Sequence, residues 1–348
     1  MIWRQHQKGG DNSQNIQAAI ANFGLGYDDV LSVVSNYVES ALERYSADAF
    51  AEARRRVEEL TINYLQKIRD EAPETLINVR EPAVQAALLD AQTAYAKSGD
   101  ASLGKVLVTL LASRTKSADR NIQQLALSAA ISSVDKMSTT HLNLCSAHFF
   151  ASTVIAAGLK VPDELYLFLK ATTGPFVENL EASPSDLSYL LDVGAVKADV
   201  VNEMKLITEY FKRYPGLFCG GVTADRVPHF DWHVKQGNVA PSQRSAGLYQ
   251  VTSANLDDLA VRLNGSQHEE DLGVLSSLLL ENPMSEEAAF LEMSDKIAGF
   301  REFSDLWERR NGLRGFTLTV TGLAVAHAHA QAVLGRRLFF ADLETWIA

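Results

Sequence analysis

"SADAFAEARRRVEELTINYLQKIRDEAP", residues 46–73, decides the fold class. Its apolar positions Phe50, Ala53, Val57, Leu60, Tyr64, Leu65 and Ile68 return every three or four residues, which lays them along one face of an α-helix. Ser46 stands where a side-chain oxygen can accept from the first unpaired amides, and Pro73 ends the run because it has no N–H to donate. Arg54, Arg55 and Arg56 are surrounded by Glu52, Glu58 and Glu59 at spacings that allow ion pairs along the helix. The basic triplet therefore reads as a solvated face and not as a patch for nucleic acid.

Working outward, the same period through Val30, Val33, Val34, Tyr37, Val38, Ala41 and Leu42 predicts a helix ahead of this one, and the short link between them predicts an antiparallel hairpin. Downstream, Pro82 opens a third helix through Val84, Leu88, Ala91 and Tyr95. Leu103, Val106, Leu107, Leu110 and Leu111 mark a fourth, and Ile122, Leu125, Ala126, Ala129 and Val134 extend the layer. After Ser138 and Thr139, the segment "LNLCSAHFF" reads as a helix buried on most sides.

The second half has shorter helices with proline or serine starts. Residues 215–247, rich in glycine, proline and aromatic residues, lack a helix period and read as a long loop. "LYQVTS" and "GFTLTV" read as short strands, which a wing-like pair on a helical domain would accommodate. The expectation is a mainly α protein: a polar segment 1–26, a multi-helix domain 27–158, and a second helical domain 159–348 with a few short strands.

Hydrophobic residues make up 47% of the 348 and charged residues 22%, which suits a packed globule and not a disordered chain. The formal charge of −11 sets up a field that repels phosphates, which argues against nucleic acid as a partner. Cys145 and Cys219 are too few for a disulfide framework or a thiolate metal site, and a reducing cytoplasm fits them. "MIWRQHQKGG" lacks the apolar run of a signal peptide. Two uncharged stretches, 142–159 and 315–335, raise the question of membrane insertion, but their Asn, His, Ser, Thr and Gln side chains are costly in hydrocarbon.

Candidate chemistry is sparse. "HFDWH" offers His229, Asp231 and His233, residue types that ligate zinc-class ions. On a helix His229 and His233 would share a face and Asp231 would point away, whereas Pro228 and the nearby glycines argue for irregular backbone. His327 and His329 splay apart on a helix and read as packing or surface residues. Cys145 has His141 and His148 within a helical turn, yet an apolar helix raises a thiol's pKa and makes it inert. No GxSxG, GxGxxG or GxxxxGK[ST] sequence occurs, and no cofactor is expected.

The opening "GGDNSQNIQ", residues 9–17, combines the permissive Gly9 and Gly10 with the turn-forming Asp11, Asn12 and Ser13. After the turn, Ser13, Asn15 and Gln17 alternate with Gln14, Ile16 and Ala18, as in a short strand that needs a sheet edge or copies of itself to persist. A polar tail and an anion-binding nest of glycine amides are the competing readings. Together with "GDASLGKVLVTLLASRT" and the C-terminal "FTLTVTGLAVAHAHA" and "FADLETWI", this opening resembles an uncharacterised family of bacterial proteins that begin with a GGDNSxNIQ motif. The same opening is similar to one placed ahead of unrelated domains in bacterial proteins, some associated with antiviral defence. That resemblance implies a portable interaction element and carries no catalytic residues. The expected function is therefore homo-oligomerisation or partner binding without catalysis. An enzyme with a metal or histidine site in the 215–247 loop and a membrane-acting effector are the alternatives.

Overall fold

The computed structural model describes residues 46–199, 204–335 and 341–347, and two compact units, 1–135 and 136–348, emerge from its contacts. The helix expected over 27–45, its hairpin and the opening segment lie outside the described residues.

In the first unit, α1 (Ala47–Glu71) is capped by Ser46, whose Oγ accepts from the Ala49 amide at 3.5 Å. Its buried face is Ala53, Val57, Leu60, Thr61, Tyr64 and Ile68: of the expected stripe Phe50 and Leu65 are only half-buried, and Thr61 is added. Thr61 is accommodated by hydrogen bonds, donating to the Val57 carbonyl at 2.7 Å and accepting from Gln92 Nε2 at 2.9 Å. The arginine triplet lies along ion pairs: Arg54 with Glu58, Arg55 with Glu52 and Glu59, and Arg56 with Glu52.

A 3₁₀ segment (Pro73–Arg80) leads to α2 (Pro82–Ser98), which Pro82 opens and Gly99 closes in the left-handed conformation. Asp100 caps α3 (Ala101–Thr115), and Asn121 caps α4 (Ile122–Val134). Helix α3 is the central element, with Leu103, Val106, Leu107, Leu110 and Leu111 buried against α1, α2 and α4. Arg114, a buried guanidinium on α3, donates to Ser128 Oγ and Gln124 Oε1 at 3.1 and 3.0 Å.

The second unit is built on α5 (Thr139–Ser152), capped by Ser138, and α15 (Val320–Leu334), capped by Thr319. These are the two uncharged stretches, and they pack on each other more extensively than any other pair of described elements. Among the described residues no helix is long and apolar enough to cross a membrane. Both α5 and its partner α15 fall in the unit 136–348.

Around this pair run α6 (Pro162–Thr172), α7 (Gly174–Val177), α8 (Pro184–Asp192), α9 (Leu206–Arg213), α10 (Phe230–Lys235), α11 (Leu256–Leu263), α12 (Leu272–Leu279), α13 (Glu286–Lys296) and α14 (Phe300–Glu308). Several polar side chains of the central helices are bonded internally. Ser146 Oγ lies 2.8 Å from His329 Nδ1, His148 Nε2 donates to the Phe316 carbonyl at 2.9 Å, and His327 Nε2 donates to the Ala341 carbonyl at 3.0 Å.

Both expected strands exist, but they do not pair with each other. β3 (Tyr249–Val251) is antiparallel to β2 (Val239–Pro241), with Val239 opposite Val251, and β4 (Phe316–Leu318) is antiparallel to β1 (Val196–Ala198), with Val196 opposite Leu318. The single wing is thus replaced by two separate two-stranded sheets. The 215–247 stretch is also more ordered than a loop: it holds 3₁₀ turns at Pro215–Phe218 and Ala224–Arg226, α10 and β2. The chain is mainly α, as its sequence period requires.

Candidate functional site

Val222, Val227, Val239, Val251, Leu259, Leu263, Leu275, Leu278 and Leu279 form a core of their own under the 215–280 region, fed by β2, β3, α11 and α12. Two polar corners stand on it. One is the start of α10, and the other is the 3₁₀ turn Glu269–Asp271 that runs directly into α12. The apolar residues of α12 and β2 fix both corners, so the side chains they carry meet without a long mobile arm between them.

His229 is the N-cap of α10 and sits in the left-handed region at φ 43°, an uncommon conformation for a residue with a side chain. Its carbonyl accepts from the His233 amide at 3.1 Å, so His233 follows one turn later on the same face. Asp271 joins them: its Oδ2 lies 2.7 Å from His229 Nδ1 and 3.0 Å from His233 Nε2. An ionised carboxylate only accepts, so both imidazoles direct an N–H at it. His233 Nδ1 then accepts from Asn238 Nδ2 at 3.2 Å, and His229 Nε2 is left with a lone pair. Burial pushes the Asp271 carboxyl up, but the two imidazole donors outweigh it and hold the group below its ordinary pKa.

The turn adds two further groups. The His268 ring stacks on that of His229 at 3.7 Å between centroids and 19° between planes, and His268 Nδ1 lies 3.2 Å from Glu270 Oε1. Glu270 is held below its ordinary pKa by its own backbone amide and by His268. Trp232, on α10, sets its ring edgewise to His268 at 4.9 Å and 80°. One ligand atom from each of His229, His268 and Glu270 lies within 4.8 Å of the others.

Of the residues expected from "HFDWH", the structure brings His229 and His233 together through Asp271 and leaves Asp231 exposed on α10, outside the cluster. The helical alternative for this segment is the one realised, because Pro228 precedes the helix instead of interrupting it. His268, Glu270 and Asp271 were missed. The signal was the run "HEED" at 268–271, a histidine set among three carboxylates, which passes for a solvated turn unless its partner is known.

A family model matches residues 24–347. The chain belongs to that family, which is uncharacterised. The family span includes every residue of the histidine cluster and begins after the GGDNSQNIQ motif at 9–17. The expected interaction residues Gly9, Gly10, Asp11, Asn12, Ser13, Asn15, Ile16 and Gln17 lie outside the described residues. No curated protein and no solved structure matches the chain.

Cys145, His141 and His148 of this family member are engaged elsewhere in the fold. Burial pushes the Cys145 thiol up to about 12, so it is no nucleophile at neutral pH. His141 closes a capping box with Ser138 and approaches Asp186 at 3.3 Å, and His148 is bonded to Phe316 and Ser152. His229, with an orienting carboxylate behind one ring nitrogen and 47% of its side chain exposed, is the imidazole placed to act on another molecule. Such a ring can accept a proton or ligate an ion.

Proposed function

We propose that this protein works by association, with copies of itself or with a partner protein, through residues 9–19. The observation that carries the reading is the alternation of Ser13, Asn15 and Gln17 with Gln14, Ile16 and Ala18 after a Gly-Gly-Asp-Asn turn, ahead of the family span that begins at 24. A short strand of this kind gains stability only by adding to another edge, and amide side chains can ladder between identical strands. The sequestered Cys145 thiol and the internally bonded histidines of α5 and α15 support a role without covalent chemistry in that core. Because the opening is similar to one placed ahead of unrelated domains in bacterial proteins, some associated with antiviral defence, the proposed setting is the cytoplasm of a bacterium and a defence or stress response.

The test is solution mass by light scattering after gel filtration, for the full chain and for a form lacking residues 1–23, which leaves the family span whole. A defined oligomer that dissociates on truncation while keeping its helical circular dichroism supports self-association. Monomers in both cases move the reading to a heterologous partner, and an unchanged oligomer removes residues 9–19 from assembly altogether.

A second reading, an enzyme whose site is the histidine cluster, is favoured by one relationship. Asp271 behind His229 is the arrangement that orients a general base, and activity lost on His229→Ala with retained fold would carry it.

A further inference from the structure

We infer that His229, His268 and Glu270 bind a divalent transition-metal ion of the zinc class, with Asp271 as the group that orients His229. The three donors already lie within 4.8 Å of one another. An ion of this class sits about 2.0–2.2 Å from imidazole nitrogen and carboxylate oxygen, so closure asks a shift on the order of half an ångström at each donor.

The exposures suit that closure. His229 and Glu270 have side chains 47% and 64% exposed, open to an arriving ion and free to adjust, while His268 is held at 14% between His229 and Trp232. The parallel rings of His229 and His268 must splay to aim both lone pairs at one point, and the half-exposed His229 has room to do so about its bond to Asp271.

Asp271 supplies the second part of the argument. A ligating histidine commonly gives its other ring N–H to a carboxylate, which fixes the tautomer and raises the basicity of the ligating nitrogen. Here Asp271 takes the Nδ1 proton of His229 at 2.7 Å and leaves Nε2 bare. Asp271 is itself anchored by the wholly buried His233, which Asn238 holds from the far side at 3.2 Å. The left-handed backbone at His229 fits the same role: an uncommon conformation is kept at a half-exposed residue where it aims a functional side chain.

The donor set decides the class of ion. Calcium and magnesium prefer shells of oxygen, whereas two imidazoles and one carboxylate suit zinc, cobalt, nickel or ferrous iron. Three protein donors leave a coordination position for water or for a donor from another molecule. The inference goes beyond association through residues 9–19 and holds whether or not that association occurs.

The experiment is calorimetric titration of the EDTA-treated full chain with Zn²⁺ and separately with Co²⁺, whose visible absorption reports imidazole coordination. The expected result is one saturable site per chain, weakened at least about tenfold in His229→Ala, His268→Ala and Glu270→Gln, by about 10–100-fold in Asp271→Asn, and unchanged in Asp231→Ala. Binding of Co²⁺ should also change Trp232 fluorescence, a change absent in Trp232→Phe. No saturable uptake overturns the inference, as does wild-type affinity in Glu270→Gln. That variant alters an exposed side chain and keeps the test open if either histidine variant fails to fold.

Discussion

Asp271 and His233 meet at 3.0 Å, carboxylate Oδ2 to ring Nε2, with the imidazole wholly out of solvent. The same oxygen takes a second N–H from His229 at 2.7 Å. In Asp271→Ala that shared oxygen is gone, and the buried His233 N–H and the His229 N–H both lose their acceptor. The expected loss is about 1–3 kcal/mol, the cost of leaving a buried donor unmatched. Urea denaturation with EDTA present measures it, and Asp231→Asn on the exposed face of α10 should stay within about 0.5 kcal/mol of wild type. Equal midpoints for the two variants would mean that Asp271 does not hold the corner.

His329 predicts how stability responds to acid. Burial lowers its pKa from the ordinary 6.5 to about 4, against a smaller upward pull from the Leu142 backbone. His148, also buried, is shifted in the same direction. A base whose folded pKa is depressed binds protons more readily when unfolded. Its contribution is therefore whole above the unfolded value and is lost as pH falls toward the folded one. Between about pH 6.5 and pH 4 the second unit should lose on the order of 3 kcal/mol from His329, by the conversion of about 1.4 kcal/mol per pKa unit. In His329→Gln this limb should flatten in part, with His148 and His141, both shifted down by burial, contributing to what is left. Denaturant midpoints across that range decide it, and a slope identical to wild type would remove His329 as the source.

Gly322 sits where α15 crosses the start of β1. A Cβ there would fall 1.8 Å from the Ala195 carbonyl oxygen, which already accepts from the Thr319 amide at 3.0 Å. Backbone cannot yield as a flexible side chain can. Gly322→Ala should therefore separate α15 from the Val196–Leu318 register and cost about 1–3 kcal/mol, the usual penalty of overpacking. At Gly315 a Cβ meets nothing within 4 Å, and Gly315→Ala should leave the thermal midpoint within a degree or two. Matching midpoints for the two would show that the close approach relaxes freely.

What the sequence disclosed and what it withheld follow from the range of the interactions. Val57, Leu60, Tyr64 and Ile68 announce α1 because a helix face is written in residues three and four apart. β1 and β2 escaped notice because their residues, VKA and VAP, lack the aromatic and β-branched run that marks β3 in "LYQVTS" and β4 in "GFTLTV", and β2 ends on Pro241. The pairing of α5 with α15 joins Ser146 to His329 across 183 positions, and no local pattern encodes it. The candidate site divides the same way. His229 and His233 are one turn apart and were legible, whereas Asp271 lies 42 and 38 positions beyond them and becomes a partner only when the valine and leucine core brings α12 beside α10.

Arg244 shows how the glycine-rich 215–247 stretch keeps its shape. Its guanidinium reaches Glu292 through Nε at 3.0 Å and Nη2 at 3.1 Å, donates to the Tyr166 hydroxyl at 2.9 Å, and also bonds the Leu217 carbonyl. Tyr166 in turn donates to Glu292 at 2.6 Å, so one planar fork ties the stretch to α6 and α13. With side-chain exposures of 11% and 25%, the pair is shielded from water but not sealed. Arg244→Ala should therefore cost about 2 kcal/mol or more, much of it from the Glu292 carboxylate left without its cation and the Leu217 carbonyl left without this donor. Arg244→Lys should recover little of that, since an ammonium cannot span both carboxylate oxygens, the phenol and a carbonyl at once. The readouts are the denaturation midpoint and the rate of limited proteolysis between residues 236 and 248, which should rise in both variants. A double-mutant cycle with Glu292→Ala separates the pair from the rest of the network. A coupling near zero would assign the anchoring to Leu217 and Tyr166, and a large one would assign it to the ion pair.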